Sequence, residues 1–144
     1  MKSTELRIGN LVKVWRFTKH NEPKELIEYP VEQIGKDENL NDYYVVVGGG
    51  FAVNVSTGIQ PIPLTEEWLL KFGFIEDEEY DEGGFIDRRY LMYNKNGDIL
   101  FTSLWESEKQ YIVNFPKMGL DIEFVHQLQN LYFALTSEEL KYTP

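Results

Sequence analysis

The chain has 144 residues, with 24 Asp and Glu against 14 Lys and Arg, a formal charge of −10 and no cysteine. Without cysteine there are no disulfides, thiolate zinc sites, iron–sulfur clusters or cysteine nucleophiles. Residues 1–72 carry eight basic against ten acidic side chains and residues 73–144 six against fourteen, so the second half is a poor surface for a phosphate backbone, which is bound by Lys and Arg displacing counterions.

The first elements read as strands. Val12, Val14 and Phe17 roughly alternate with Lys13 and Arg16, the period-2 pattern of a half-buried strand. Leu26 to Ile34 predicts a second strand, in which Pro30, lacking an N–H, favours a sheet edge or a bulge. Asp42 to Val55 is a hairpin pattern, two β-branched and aromatic runs around Gly48, Gly49 and Gly50. Ile59 to Ile62 adds a fifth short strand. Such a series predicts a small, bent antiparallel β-unit, an SH3-like barrel or half-barrel.

Residues 60–74, QPIPLTEEWLLKFGF, spell a short helix. Thr65 is its N-cap, Glu66 and Glu67 lie in the first turn where the dipole favours negative charge, and Lys71 lies at the other end. Leu64 and Leu69 occupy the positions of a hydrophobic staple. Gly73 is placed to close the helix in the left-handed conformation, with Phe74 folding back toward Leu69. Trp68, Leu69 and Phe72 form its buried face, and the helix is read as the joint between an N-terminal unit, residues 1–64, and the remainder, residues 65–144.

Six acids crowd the seven residues from Glu76 to Glu82. Without the alternating spacing and internal glycine of an EF-hand loop, the run reads as a solvated loop rather than a cation site, or as a mimic of a phosphate backbone that captures a basic protein. Three strand patterns follow in residues 85–93, 98–105 and 109–115, the first two joined by a turn whose Asn96-Gly97 pair suits type I′. Ile122, Val125, Leu128, Tyr132 and Leu135 then share one helical face, widened by Phe124, Leu131 and Phe133. Glu123, His126, Gln127 and Asn130 form the polar strip. Thr136 to Glu139, TSEE, has the form of a capping box opening a final short helix. The expected fold is α+β: the bent β-unit, a short linking helix, and a three-stranded antiparallel sheet covered by the C-terminal helix.

Few groups have the spacing of a chemical site. The three glycines are followed by a strand pattern rather than a helix N-terminus, so they make a turn and not a phosphate loop. His20 and His126 have no local ligand partner, and no nucleophile-elbow motif is present. No catalytic residue, metal ligand or cofactor is therefore assigned. Gln129 projects into the apolar arc, where a buried amide needs hydrogen-bond partners, either a neighbouring backbone or a partner molecule. Trp15, Tyr43, Tyr44, Trp105 and Tyr111 are more strand aromatics than the core of such a chain needs. Gln129, Phe133, Trp105 and Tyr111 are the residues singled out for contact with a partner.

Three segments, LRIGNLV, QPIPLTEEWLLKFGF and VHQLQNLYFALTSEEL, together resemble a family of small bacterial proteins, without an assigned activity, that are often carried by phages, prophages and other mobile elements. The resemblance implies an accessory role in a mobile element and no mechanism. With no run of roughly 20 apolar residues and no signal-peptide core at the start, the chain is expected in the cytoplasm and not in a membrane. The functional expectation is a non-enzymatic module that binds another protein, or a second copy of itself through the C-terminal helix. The alternatives are an enzyme with an Asp, Glu and Tyr site between the two halves, or nucleic-acid binding through the N-terminal β-unit.

Overall fold

The structure, a computed structural model, describes residues 3–17, 23–39, 41–77, 86–106, 111–115 and 118–143. It is an α+β protein of two compact units. The first comprises Met1–Ile62 and Phe124–Glu139, the second Pro63–Glu123 and Leu140–Pro144.

In the first unit a 3-10 turn (Ser3–Glu5) precedes β1 (Leu11–Phe17), β2 (Pro23–Asp37), β3 (Asp42–Val47) and β4 (Phe51–Asn54). A single helical turn, α1 (Val55–Gly58), leads to β5 (Ile59–Gln60). The strands form one antiparallel sheet in the order β4-β3-β2-β1-β5. The long strand β2 is its spine. It pairs with β1 as far as Pro30 opposite Leu11, then with β3 from Val31 opposite Val47. The exchange of partners falls where Pro30 has no N–H to donate, and the register slips between Val31 and Gln33, a bulge that bends the strand as the proline suggests. Val12, Val14, Val31, Val45, Val47, Val55 and Ile59 form the core of this unit. Such a core suits side chains that are stiff and β-branched on a pleated surface. The sheet stays open: among the described residues, its end strands β4 and β5 do not pair. Gly48, Gly49 and Gly50 take φ of +58°, +82° and +116°, a consecutive left-handed run that only glycine adopts without strain.

The C-terminal helix α3 (Val125–Thr136) is grouped with this first unit. Its apolar pattern suggested a cover for the second sheet, but its described side-chain bonds to other elements run to the N-terminal segment. The arc specifies a helix to be packed and does not specify on what; the amides of Gln129 and Asn130 make that choice. Val125, Leu128 and Gln129 are buried as projected, whereas Leu135 is 44% exposed. His126, expected on the polar strip, is buried instead. TSEE closes α3 rather than opening another helix. Ser137 takes φ +58° and donates its N–H to Phe133 O at 2.8 Å. The Thr136 hydroxyl donates to Tyr132 O at 2.8 Å and accepts from Glu138 N at 3.1 Å. A threonine that can turn back on its own helix satisfies the last carbonyls instead of the next helix's first amides.

The second unit contains α2 (Glu66–Lys71), β6 (Ile75–Glu76), β7 (Ile86–Tyr93), β8 (Ile99–Glu106), β9 (Tyr111–Phe115) and β10 (Met118–Asp121), with the sheet order β10-β9-β8-β7-β6. The three expected strands are its centre, and two short strands extend it on either side. The α2 region follows its sequence residue by residue. Thr65 Oγ1 accepts from Trp68 N at 3.4 Å, Leu64 and Leu69 are buried, and Lys71 meets Glu67 at 2.7 Å. Gly73 (φ +85°) donates to Leu70 O at 2.9 Å while Phe74 N donates to Leu69 O at 3.0 Å, the paired bonds of a Schellman ending. The β7–β8 turn is not type I′, because Asn96 does not take the positive φ that turn requires. Asn94 Oδ1 accepts from both Asn96 N and Asp98 N at 2.8 and 2.9 Å. This holds a three-residue loop with Gly97 alone left-handed at φ +86°.

Thr65→Ala removes the side-chain acceptor at the start of α2 and is expected to lower stability by about 1 kcal/mol, while Thr65→Ser is expected to stay within a few tenths. Urea unfolding of both variants beside the parent measures the difference; equal loss in both would show that the hydroxyl is not what caps the helix.

Candidate functional site

The pleat of β1 turns Val12 and Val14 into the valine core and leaves Trp15 37% exposed. Beside it lies a groove of about 790 Å³ that is confined to the first unit, lined among others by Trp15, Tyr29, Val47, Phe51, Asn54 and Thr57. The groove follows from the open sheet. Val14 and Val47 belong to the core and also line the groove, so the core reaches the surface there. Phe51 is the first residue after the glycine turn, on the end strand β4, and is 68% exposed. A Cβ at Gly48 would lie 2.7 Å from the Tyr29 ring, so glycine at that position lets the tyrosine keep its place.

Among the described residues no lining side chain is charged; carboxylates neighbour the lining residues in the chain. Glu28 precedes Tyr29 and lies 3.7 Å from Lys13. Glu32 accepts from Gly49 N at 2.9 Å, two residues before Phe51. Asp42 accepts from the Ser56 hydroxyl, next to Thr57, and from Tyr43 N at 2.7 Å, and these bonds, that from Ser56 foremost, hold its carboxyl below the usual range. A surface of three aromatic rings, aliphatic walls and two small polar groups can hold an apolar or flat group. Among the described residues its lining holds no paired nucleophile and base.

The residues singled out from sequence are dispersed. Gln129 is 3% exposed, with Oε1 accepting from Leu11 N at 2.9 Å and Nε2 donating to Gly9 O at 3.3 Å. It ties the helix to a backbone and has no side left for a partner. Phe133 is 37% exposed, and the Arg7 guanidinium lies 3.9 Å above its ring. Trp105 stands opposite Tyr111 in the β8–β9 register, but the side chains of both lie outside the described residues. Most of the acidic run, residues 78–82, also lies outside them. Its first two members are described: Glu76 is 3.7 Å from Arg88, and Asp77 accepts from Arg89 Nε at 2.7 Å. Among the described residues no three His, Cys, Asp or Glu side chains converge as around a metal ion. Reading the sequence found Trp15 as a surplus aromatic and missed Tyr29 and Phe51. The available signal was a phenylalanine placed directly after a three-glycine turn, where an end strand leaves it uncovered.

Two further polar clusters bear on chemistry. In the second unit, the buried Tyr90 donates its hydroxyl to Glu66 at 2.6 Å, and Arg88 meets the same oxygen at 2.7 Å. Burial, reinforced by Glu66, pushes the Tyr90 phenol up to about 12, so it is a fixed donor and not a base. In the first unit, His126 is 1% exposed, stacked on Phe124 at 5.8 Å, and neither ring nitrogen has a protein partner. Burial depresses its pKa below 6.5. No protein-family model, curated protein or solved structure matches this chain.

Gln129→Leu keeps the volume apolar but strands the Leu11 N–H and the Gly9 carbonyl. A loss of about 1 to 3 kcal/mol in urea unfolding is expected, with faster amide exchange at Leu11. A variant as stable as the parent would show that the clasp is not needed.

His126 supplies a pH dependence with a definite sign. Above pH 6.5 the imidazole is neutral in both folded and unfolded chains and stability is complete. As pH falls from 6.5 through the depressed folded value, the unfolded chain takes the proton first and stability declines. Urea midpoints measured between about pH 7 and about pH 5 should fall, and His126→Leu should flatten the decline. An unchanged slope in that variant would place the titration elsewhere.

Proposed function

We propose that the protein is a non-enzymatic interaction module that binds a segment of another protein in the groove of the first unit. The single observation that supports this reading most is the uncovered Phe51, beside Trp15 and Tyr29 on one open groove. Exposed aromatics that share a concave surface are what partner recognition uses, because they give large contact area at little conformational cost. The polar groups Asn54 and Thr57 are available to orient a bound backbone. The likeness of the bent sheet to an SH3-type half-barrel, and the accessory role in a mobile element implied by the three-segment resemblance, belong to this reading.

Several features favour it over the alternatives. Self-association through α3 has less surface to use, since Phe133 is already covered on one face by Arg7. An enzyme with acid–base carboxylates needs at least one carboxyl raised in pKa. Asp42, Glu67 and Glu139 instead lie below the usual range, stabilised by hydrogen bonds from Ser56, Lys71 and Arg7 respectively. Nucleic-acid binding through the N-terminal sheet meets carboxylates around the groove and a chain charge of −10.

Phe51→Ala alters an exposed side chain and is expected to change stability by no more than about 0.5 kcal/mol. Its partner affinity is expected to fall by about 2 kcal/mol or more, roughly 30-fold, as for a central aromatic anchor. Titration calorimetry with a partner captured by the parent protein measures this. Equal affinity in Phe51→Ala and Trp15→Ala would move the binding surface away from the groove.

A further inference from the structure

We infer that the occupant of the groove is an extended protein segment bearing lysine or arginine between apolar residues, laid along the free side of β4; the inference rests on the groove being the working surface. Three features of the first unit converge on that chemistry. The first is backbone. Among the described residues β4 pairs with β3 alone, through Phe51, Ala52, Val53 and Asn54, and ends the sheet. An end strand presents N–H and C=O groups that another extended chain can pair, and side chains two residues apart then face the same way, into the groove.

The second is the aromatic lining. Ring faces attract alkylammonium and guanidinium groups, and arginine and lysine stems also cover apolar surface. The protein uses this contact twice itself, with Arg7 3.9 Å above Phe133 and Lys71 4.8 Å above Trp68. The third is charge. Among the described residues no lining side chain is charged, and two carboxylates are held beside the lining, Glu32 on Gly49 N, two residues before Phe51, and Asp42 on the Ser56 hydroxyl, next to Thr57. A cationic segment is drawn toward such a rim and an acidic segment repelled, a selection expressed in encounter rate and in discrimination between partners.

The test uses the full-length chain and a displayed library of random decapeptides. Selection on the parent protein is expected to enrich Lys and Arg over Asp and Glu, with apolar residues at alternate positions. Binding of a selected peptide should weaken at least about tenfold in Trp15→Ala or Phe51→Ala, and a few-fold when salt is raised from about 0.05 to about 0.5 M. Replacing its basic residues with glutamate should weaken it by at least about tenfold. Binders without a basic bias that still depend on Trp15 and Phe51 would overturn this inference and leave the groove as the binding surface. Binders indifferent to both substitutions, or a library that yields none, would overturn the two together.

Discussion

The attachment of α3 to the start of β1 is the constraint on which the first unit depends. Leu11 opens the strand with its side chain buried and its N–H turned away from water, and the acceptor for that N–H is an amide 118 residues later in the chain. A hydrogen bond of this kind adds little net stability when made, yet leaving the buried donor unmet costs far more. The geometry is therefore selected by what its loss would expose. Asn10 donates to Asn130 at 2.9 Å and Asn130 donates to Glu5 O at 2.8 Å, while Arg7 meets Glu139 through two bonds of 2.5 and 3.0 Å. These contacts fasten Gln129 and Asn130 of α3, and Glu139 just beyond its end, to residues 5–11. They set where β1 begins, and with it which side chains of β1 face the core.

From that register the groove follows. With Val12 and Val14 inward, Trp15 is outward, and β5 pairs only with Lys13 and Val14, so Trp15 has β2 on one side and no described strand on the other. At the far end of the sheet, β4 follows three left-handed glycines and carries Phe51 into solvent. The valine core is small and well covered in its middle, and it becomes accessible where the sheet does not close. A closed barrel of the same strands would bury the same valines but would offer no edge for an extended partner.

Legibility followed the range of the interactions. The α2 segment was written almost completely in its own residues because a cap, a first-turn acid, a staple and a closing glycine act within about ten positions of one another. Strand identity was legible for the same reason: alternation and β-branching are local. The partner of α3 was not, since an apolar arc is indifferent to which sheet it covers and the deciding bonds join Gln129 to Gly9 and Leu11. Local signals also compete. TSEE satisfies the rule for a helix start, but a threonine whose hydroxyl already reaches Tyr132 O, followed by a serine at φ +58°, serves the helix behind it. Asn96-Gly97 fits a type I′ pair, but Asn94 captures two amides of the loop and imposes another turn. The groove was least legible, because it arises where, among the described residues, the end strands do not pair, and no residue pattern encodes a gap.

The polar cluster of Tyr90, Glu66 and Arg88 meets needs of the fold. Tyr90 is buried in the second unit with a hydroxyl that has to donate, and Glu66 at the start of α2 accepts it at 2.6 Å. A glutamate there also benefits from the helix dipole, and Arg88 at 2.7 Å balances its charge. Within this triad the phenol is pushed up to about 12, so at neutral pH it keeps its proton and cannot abstract another. The cluster is thus suited to fixing α2 against β7. Reactive groups poised for chemistry are ordinarily brought near the working pH by their surroundings; here burial drives the tyrosine further from it. The groove of the first unit differs in kind: it is lined by aromatic and aliphatic side chains and lies on β4, which among the described residues pairs with β3 alone.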